Sequence, residues 1–303
     1  MTRKLLFGLA SLVTLIVVTA VAFLFLISRD FEEAPLSEGE RWFDNWYTIT
    51  EIDSQTFAVG EPRYWQKNYN FLLLGDSRAI LFDTGPAVRD IKPVVESLTD
   101  LPVTVVSSHQ HYDHIGNNHR FDRVAAIDVP VIRDQVEDGI YQPSYLSTLT
   151  LRHIRPYRIV EWWQPEEVID LGKRWLQVLH VPGHADGSIA LLDAQRKQLF
   201  TGDFIYPGWL VGFAPSSDFG KYLASARYLI AHTSGSEIMY GAHAVENHPS
   251  PVLPYAALHD LKSGLDRILA GTLEGQGRFP MRVYPINADM EMYTFYFAAV
   301  GNP

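Results

Sequence analysis

Three histidines and one aspartate stand within six residues of each other, His109, His111, Asp113 and His114, in Ser107-Ser108-His109-Gln110-His111-Tyr112-Asp113-His114. His109 and His111 are two apart, so on an extended backbone both face one side. Asp113 and His114 follow at the turn into the next element. The cluster comes directly after an apolar run at 103–106, which puts it at the end of a buried strand. Imidazoles and a carboxylate converging on one small volume point to a metal site. Such a donor set suits Zn²⁺, and Fe or Mn also fit it.

Residues of the same types recur at the ends of other β-type runs. Asp83 follows 78–82, His184 follows 175–180, Asp203 follows 198–201 and His243 follows 238–240. In α/β architectures the strand ends are where sites are built. A lone histidine is more often a satisfied core residue than a ligand, so His119, His153, His180, His232, His248 and His259 remain unassigned.

The elements that must position these residues alternate. Strands are expected at 47–52, 56–59, 70–74, 78–82, 103–106, 123–127, 175–180, 188–192, 198–201 and 238–240. Apolar residues at helical spacing mark 89–98, 219–231 and 256–269. Turns at Gly75-Asp76 and 194–197 close hairpins, so the sheets are expected to be mixed, not purely parallel. The stretch 134–164 is less regular and carries Tyr141, Tyr145, Tyr157, Trp162 and Trp163, either as a substrate wall or as core.

Composition excludes several functions. The chain has 303 residues, 47% of them hydrophobic, enough for a sizeable core. It has no cysteine, so thiolate nucleophiles, disulfides and Cys-ligated zinc are ruled out. Lys plus Arg is 25 against 35 for Asp plus Glu, a net charge of −10, and no nucleic-acid partner is expected. Residues 5–27 carry no charge and follow Arg3 and Lys4. They predict a single transmembrane helix with a cytoplasmic N-terminus and the catalytic domain on the far, periplasmic or extracytoplasmic side. The rival is a signal peptide cut near Ala20-Val21-Ala22, giving a secreted chain. The organisation expected is an anchor over 1–28, an acidic linker over 29–41 and one catalytic domain over 42–303.

Taken together these residues resemble the metallo-β-lactamase-fold superfamily, over about residues 70–243. The resemblance rests on His109-x-His111-x-Asp113-His114, Pro182-Gly183-His184, Thr201-Gly202-Asp203, His243 and Asp83-Thr84-Gly85. It implies an αββα sandwich, two mixed β-sheets flanked by helices. It also implies two Zn²⁺ ions, one on His109, His111 and His184, the other on Asp113, His114 and His243, with Asp203 bridging and Asp83 supporting from behind. Asp113 would in addition orient or deprotonate water. The activity implied is cleavage of a small-molecule ester, thioester or lactone by a metal-bridging hydroxide. Residues 121–125 and 164–172 look most like the long-chain acyl-CoA thioesterase branch, beside glyoxalase II and the acyl-homoserine lactonases. Two other readings of the same ligands are an iron-dependent persulfide dioxygenase and a non-catalytic, metal-stabilised binding module. No motif marks the substrate pocket or the oligomeric state.

Overall fold

The computed structural model describes residues 35–64, 67–143, 154–214, 216–245, 247–277 and 281–295. The expected membrane helix at 5–27 lies outside them. Among the described residues no helix is long and apolar enough to cross a membrane.

Two mixed sheets make the body of the fold. In the first, Thr48–Asp53, Thr56–Glu61, Lys67–Leu74 and Ala79–Phe82 run antiparallel in sequence order. Val103–Val106, Val124–Ile127 and Glu161–Trp163 then add on in parallel. The second sheet orders Val168–Asp170, Trp175–His180, Ile189–Asp193, Gln198–Gly202, Ile238–Gly241 and Val252–Pro254. Its one parallel pair is Gln198–Gly202 with Ile238–Gly241.

Period-2 side-chain alternation builds the layers. Along the second sheet Val178, Leu191, Phe200 and Tyr240 join the core shared with the first sheet. Their neighbours Leu179, Ala190, Leu199 and Met239 face the other way, into a second core with the helices Phe219–His232 and Ala256–Leu269. The helix Lys92–Leu98 buries Val94 and Val95 in the first core. It starts three residues later than its apolar spacing suggests, because Pro93 fits only the first helical turn. Phe219–His232 starts where the Asp218 side chain accepts the Lys221 N–H.

Two expectations need correction. The acidic linker is not a free tether along its whole length. Glu40 is buried, its carboxylate 2.8 Å from Lys67 Nζ, with Ser37 and Thr48 also donating to it. A buried carboxylate needs such partners, and they draw the chain into the fold before residue 42. The irregular stretch after 134 contains structure as well. Val136–Glu137, Ile140–Tyr141 and Tyr157–Arg158 form a small antiparallel sheet, with Tyr141 stacked on Tyr157 at 4.9 Å. Tyr141, Tyr157 and Trp163 are buried core. Tyr145 lies outside the described residues.

A second small sheet pairs Gly208–Val211 in parallel with Met290–Phe295, which runs antiparallel to Met281–Pro285. Its first strand brings the Val211 carbonyl to 2.9 Å from His184 Nδ1.

Candidate metal centre

The parallel strands Ala79–Phe82 and Val103–Val106 end side by side, delivering Asp83 from one and the Ser107–His114 loop from the other. The parallel pair of the second sheet likewise ends at Asp203 and at His243. His184 follows Trp175–His180 by four residues. Close backbone approach makes this possible. Gly202 sits at φ +53°, and a Cβ there would lie 2.4 Å from Ser108 Cβ. Gly116 lies so close to the Asp83-Thr84-Gly85 turn that its own Cβ would be 2.5 Å from Gly85 O.

All seven expected ligands come together, and all but the half-buried His111 are buried. His109 Nε2, His111 Nδ1 and His184 Nε2 lie 2.7, 3.0 and 3.2 Å apart. Three nitrogens of neutral imidazoles cannot satisfy one another at that spacing. Around a tetrahedral zinc with Zn–N bonds of ~2.0–2.1 Å, nitrogens would be separated by about 3.3 Å. On the other side, His114 Nε2 and His243 Nε2 stand 3.7 and 3.8 Å from the two oxygens of Asp113. Between the two groups lies Asp203. Its Oδ1 is 3.0 Å from His243 Nε2 and 3.3 Å from His114 Nε2, and its Oδ2 is 3.5 Å from His184 Nε2 and 4.0 Å from His109 Nε2.

Despite these short separations, His114 Nε2, His243 Nε2 and Asp203 Oδ1 form no hydrogen bond of acceptable geometry. Buried polar atoms left unpaired cost ~1–3 kcal/mol each. Cations at the two foci would give every one of them a partner, so the residues present fit a metal pair.

The electrostatics agree with that donor role. Burial pushes His111 and His184 down to about 4. It also holds His109 well below the usual imidazole range, helped by the neighbouring imidazoles. These three are neutral at pH 7, with lone pairs available. Burial opposes a charge on His114 too, but the carboxylates of Asp203, Asp83 and Asp113 outweigh it and hold a proton there in the metal-free chain. Burial likewise works against ionised Asp203, yet His243 and His114 keep its carboxyl well below the usual range.

Groups behind the ligands aim them. Asp83 Oδ2 lies 2.9 Å from His114 Nδ1, and its Oδ1 accepts the Ser108 N–H at 2.6 Å. Ser108 Oγ is 3.1 Å from His109 Nδ1, and Val211 O is 2.9 Å from His184 Nδ1. Tyr206 sets its ring edge-on to His243 at 5.0 Å. Of these, only Asp83 carries a sequence signal, its place in Asp83-Thr84-Gly85. Ser108 abuts the histidine cluster without a distinctive spacing of its own, and a main-chain carbonyl such as Val211 leaves no trace in residue type.

Residues 64–236 match the metallo-beta-lactamase superfamily, and the chain belongs to it. Membership implies binding of divalent metal. His243 lies just beyond the matched residues. The chain is 28% identical over 214 residues to acyl-coenzyme A thioesterase MBLAC2 of Homo sapiens, covering 61% of this chain and 76% of that protein. It is 23% identical over 185 residues to hydroxyacylglutathione hydrolase GloC of Haemophilus influenzae, covering 59% and 86%. Among solved structures, a metallo-beta-lactamase from Pontibacter korlensis superposes with a TM-score of 0.56 at 15% identity, covering 73% of this chain and 99% of that one, which shows the shared fold.

Proposed function

We infer that this chain is a dinuclear metal-dependent hydrolase of a small acyl substrate, a thioester before an ester or lactone. The observation that carries the reading is the split presentation of Asp203, one oxygen toward His114 and His243 and the other toward His109 and His184. Thioesters come first because the relatives named above are a thioesterase and a hydroxyacylglutathione hydrolase.

His109, His111 and His184 would hold one cation, Asp113, His114 and His243 the second, and Asp203 both. Two zinc ions bound there supply Lewis acidity, lowering the pKa of a water toward ~7 and polarising an acyl carbonyl. Burial keeps His109, His111 and His184 unprotonated, so they offer lone pairs at neutral pH. Asp113 spreads its oxygens toward His114 and His243 and is the carboxylate suited to orient the attacking water and accept its proton. Asp83 and Val211 O fix ring orientation on both sides.

The apolar, uncharged residues 5–27 behind Arg3 and Lys4 support a membrane anchor with the catalytic domain on the far side. Fractionation of the full chain, with protease added to intact cells, tests this: cleavage only after lysis would sink the far-side placement.

For the activity, metal content of the purified protein is measured beside turnover on thioester, aryl-ester and lactone panels. Two metals per chain and thioester turnover, lost in His109→Ala and Asp113→Ala, are expected. One iron per chain with oxygen uptake on glutathione persulfide overturns the reading. Full metal loading without turnover on any panel does so too.

A further inference from the structure

Four of the clustered imidazoles present Nε2 inward, those of His109, His114, His184 and His243. A histidine whose Nε2 holds a metal carries its proton on Nδ1 and needs an acceptor there. Three have one: Ser108 Oγ for His109, Asp83 for His114 and the Val211 carbonyl for His184. His243 Nδ1 is buried with no partner.

A second buried atom without a partner is Asn68 Oδ1, an acceptor. Asn68 is the register partner of His243 in the antiparallel pairing of His243–Ala244 with Lys67–Leu74. The next pair along is tied by the Tyr69 N–H donating to Ala242 O at 2.8 Å. Asn68 and His243 are therefore a non-hydrogen-bonded pair, the kind that brings side chains on one face closest, with Cβ atoms ~4.5–5.5 Å apart. The other end of the same carboxamide is engaged, since Asn68 Nδ2 donates to the main-chain oxygen of Asp113 at 2.9 Å.

We propose that Asn68 is a positioning residue for the second metal subsite, its Nδ2 holding the main chain of Asp113 and its Oδ1 accepting the Nδ1–H of His243. In the metal-free chain the two atoms do not meet in hydrogen-bonding geometry. Commitment of His243 Nε2 to a cation fixes the ring proton on Nδ1, and a small side-chain rotation then lets Asn68 Oδ1 accept it. One buried amide then ties two of the three ligands particular to that subsite. Among the described residues, no hydrogen bond links the Asn68 side chain to His109, His111 or His184. This rests on the two-metal reading above.

The test titrates zinc into the metal-stripped full chain by calorimetry and counts the metal retained after dialysis. The native chain should take up two. Asn68→Leu keeps the volume but removes both polar ends. It should bind the second metal about 10–100-fold more weakly while leaving the first unchanged. Asn68→Ser, too short to reach His243, serves the same purpose where the leucine variant does not fold. Asn68→Asp keeps the acceptor for His243 but loses the donor to Asp113 O, so its second-site affinity should lie between those of the native and leucine chains. Equal weakening of both sites, or no weakening of either, overturns the role of Asn68. A native chain that takes up fewer than two metals overturns the dinuclear reading itself, and the role of Asn68 with it.

Discussion

Asp83 and His114 face each other across 2.9 Å, carboxylate oxygen to Nδ1, so the imidazole is held on the side away from Asp203. Asp83 does this from a left-handed backbone conformation, φ +70°, uncommon outside glycine. The same carboxylate caps the Ser108 N–H, so one side chain sets both the ring and the loop that carries His109.

Asp83→Ala removes a buried acceptor from two donors at once. We expect loss of about 3–5 kcal/mol of stability, as when one partner of a buried charged pair is removed, and a 10–100-fold loss of metal affinity. Urea denaturation and zinc titration of the variant measure the two effects. Unchanged affinity would show that His114 is aimed by packing alone.

Asp203→Asn preserves shape but removes the charge shared by both groups of ligands. Metal affinity is expected to fall by more than the ~100-fold upper range for groups that only support ligands, with thioester turnover falling alongside. Chelator treatment of the native chain should lower its melting temperature, since a cation bound only to the folded state stabilises it by mass action. A chelator-insensitive melting curve would contradict the assigned ligands.

Glu61 offers a pH prediction for a group that is not itself a ligand, although Asp113 raises and His114 lowers its carboxyl in smaller measure than burial does. It is fully buried, held by Trp46 Nε1 at 2.8 Å and Asn70 Nδ2 at 3.3 Å, and burial raises its carboxyl to about 7. A folded-state value above the unfolded one of 4.5 means that the folded chain binds the proton more tightly. Its stabilising contribution is complete below about 4.5 and is lost as pH rises through about 7, on the order of 3 kcal/mol in all. Glu61→Gln should flatten the fall in stability of the metal-free chain between these values. Denaturant melts at pH 5 and pH 8 decide it, and identical slopes in both proteins would refute it.

Arg174 is fully buried and joins the two sheets. Nε meets Asp193 at 2.8 Å, while the guanidinium also donates to Gln55 O, Leu74 O and Thr56 Oγ1. Leu74 ends the strand whose other end carries Asn68, six residues or about 20 Å away. Arg174→Ala is therefore expected to cost about 3–5 kcal/mol of stability and leave metal stoichiometry at the native value. Denaturation and metal analysis of one preparation check both halves.

Much of this molecule was legible in its residue order. The alternation of apolar runs matched the observed strands closely, because a strand buried on one or both faces must repeat its apolar residues in a way local sequence records. The span 134–164 was not legible as structure, since two-residue strands leave no periodicity. The burial of Glu40 was equally hidden, because it depends on Lys67, which lies 27 positions further along the chain.

For the site, sequence alone determined which residue types stand at which strand ends, and the His109–His114 cluster announced its chemistry by spacing. Tertiary structure decided which atoms point inward, with Nδ1 from His111 and Nε2 from its partners, and how the oxygens of Asp203 divide between the two groups. It also supplied Val211 O behind His184. His109 and His184 are separated by 75 positions. Contacts at that separation are set by how two sheets pack, and ring orientation follows from the acceptor behind each ring, neither of which a linear spacing encodes.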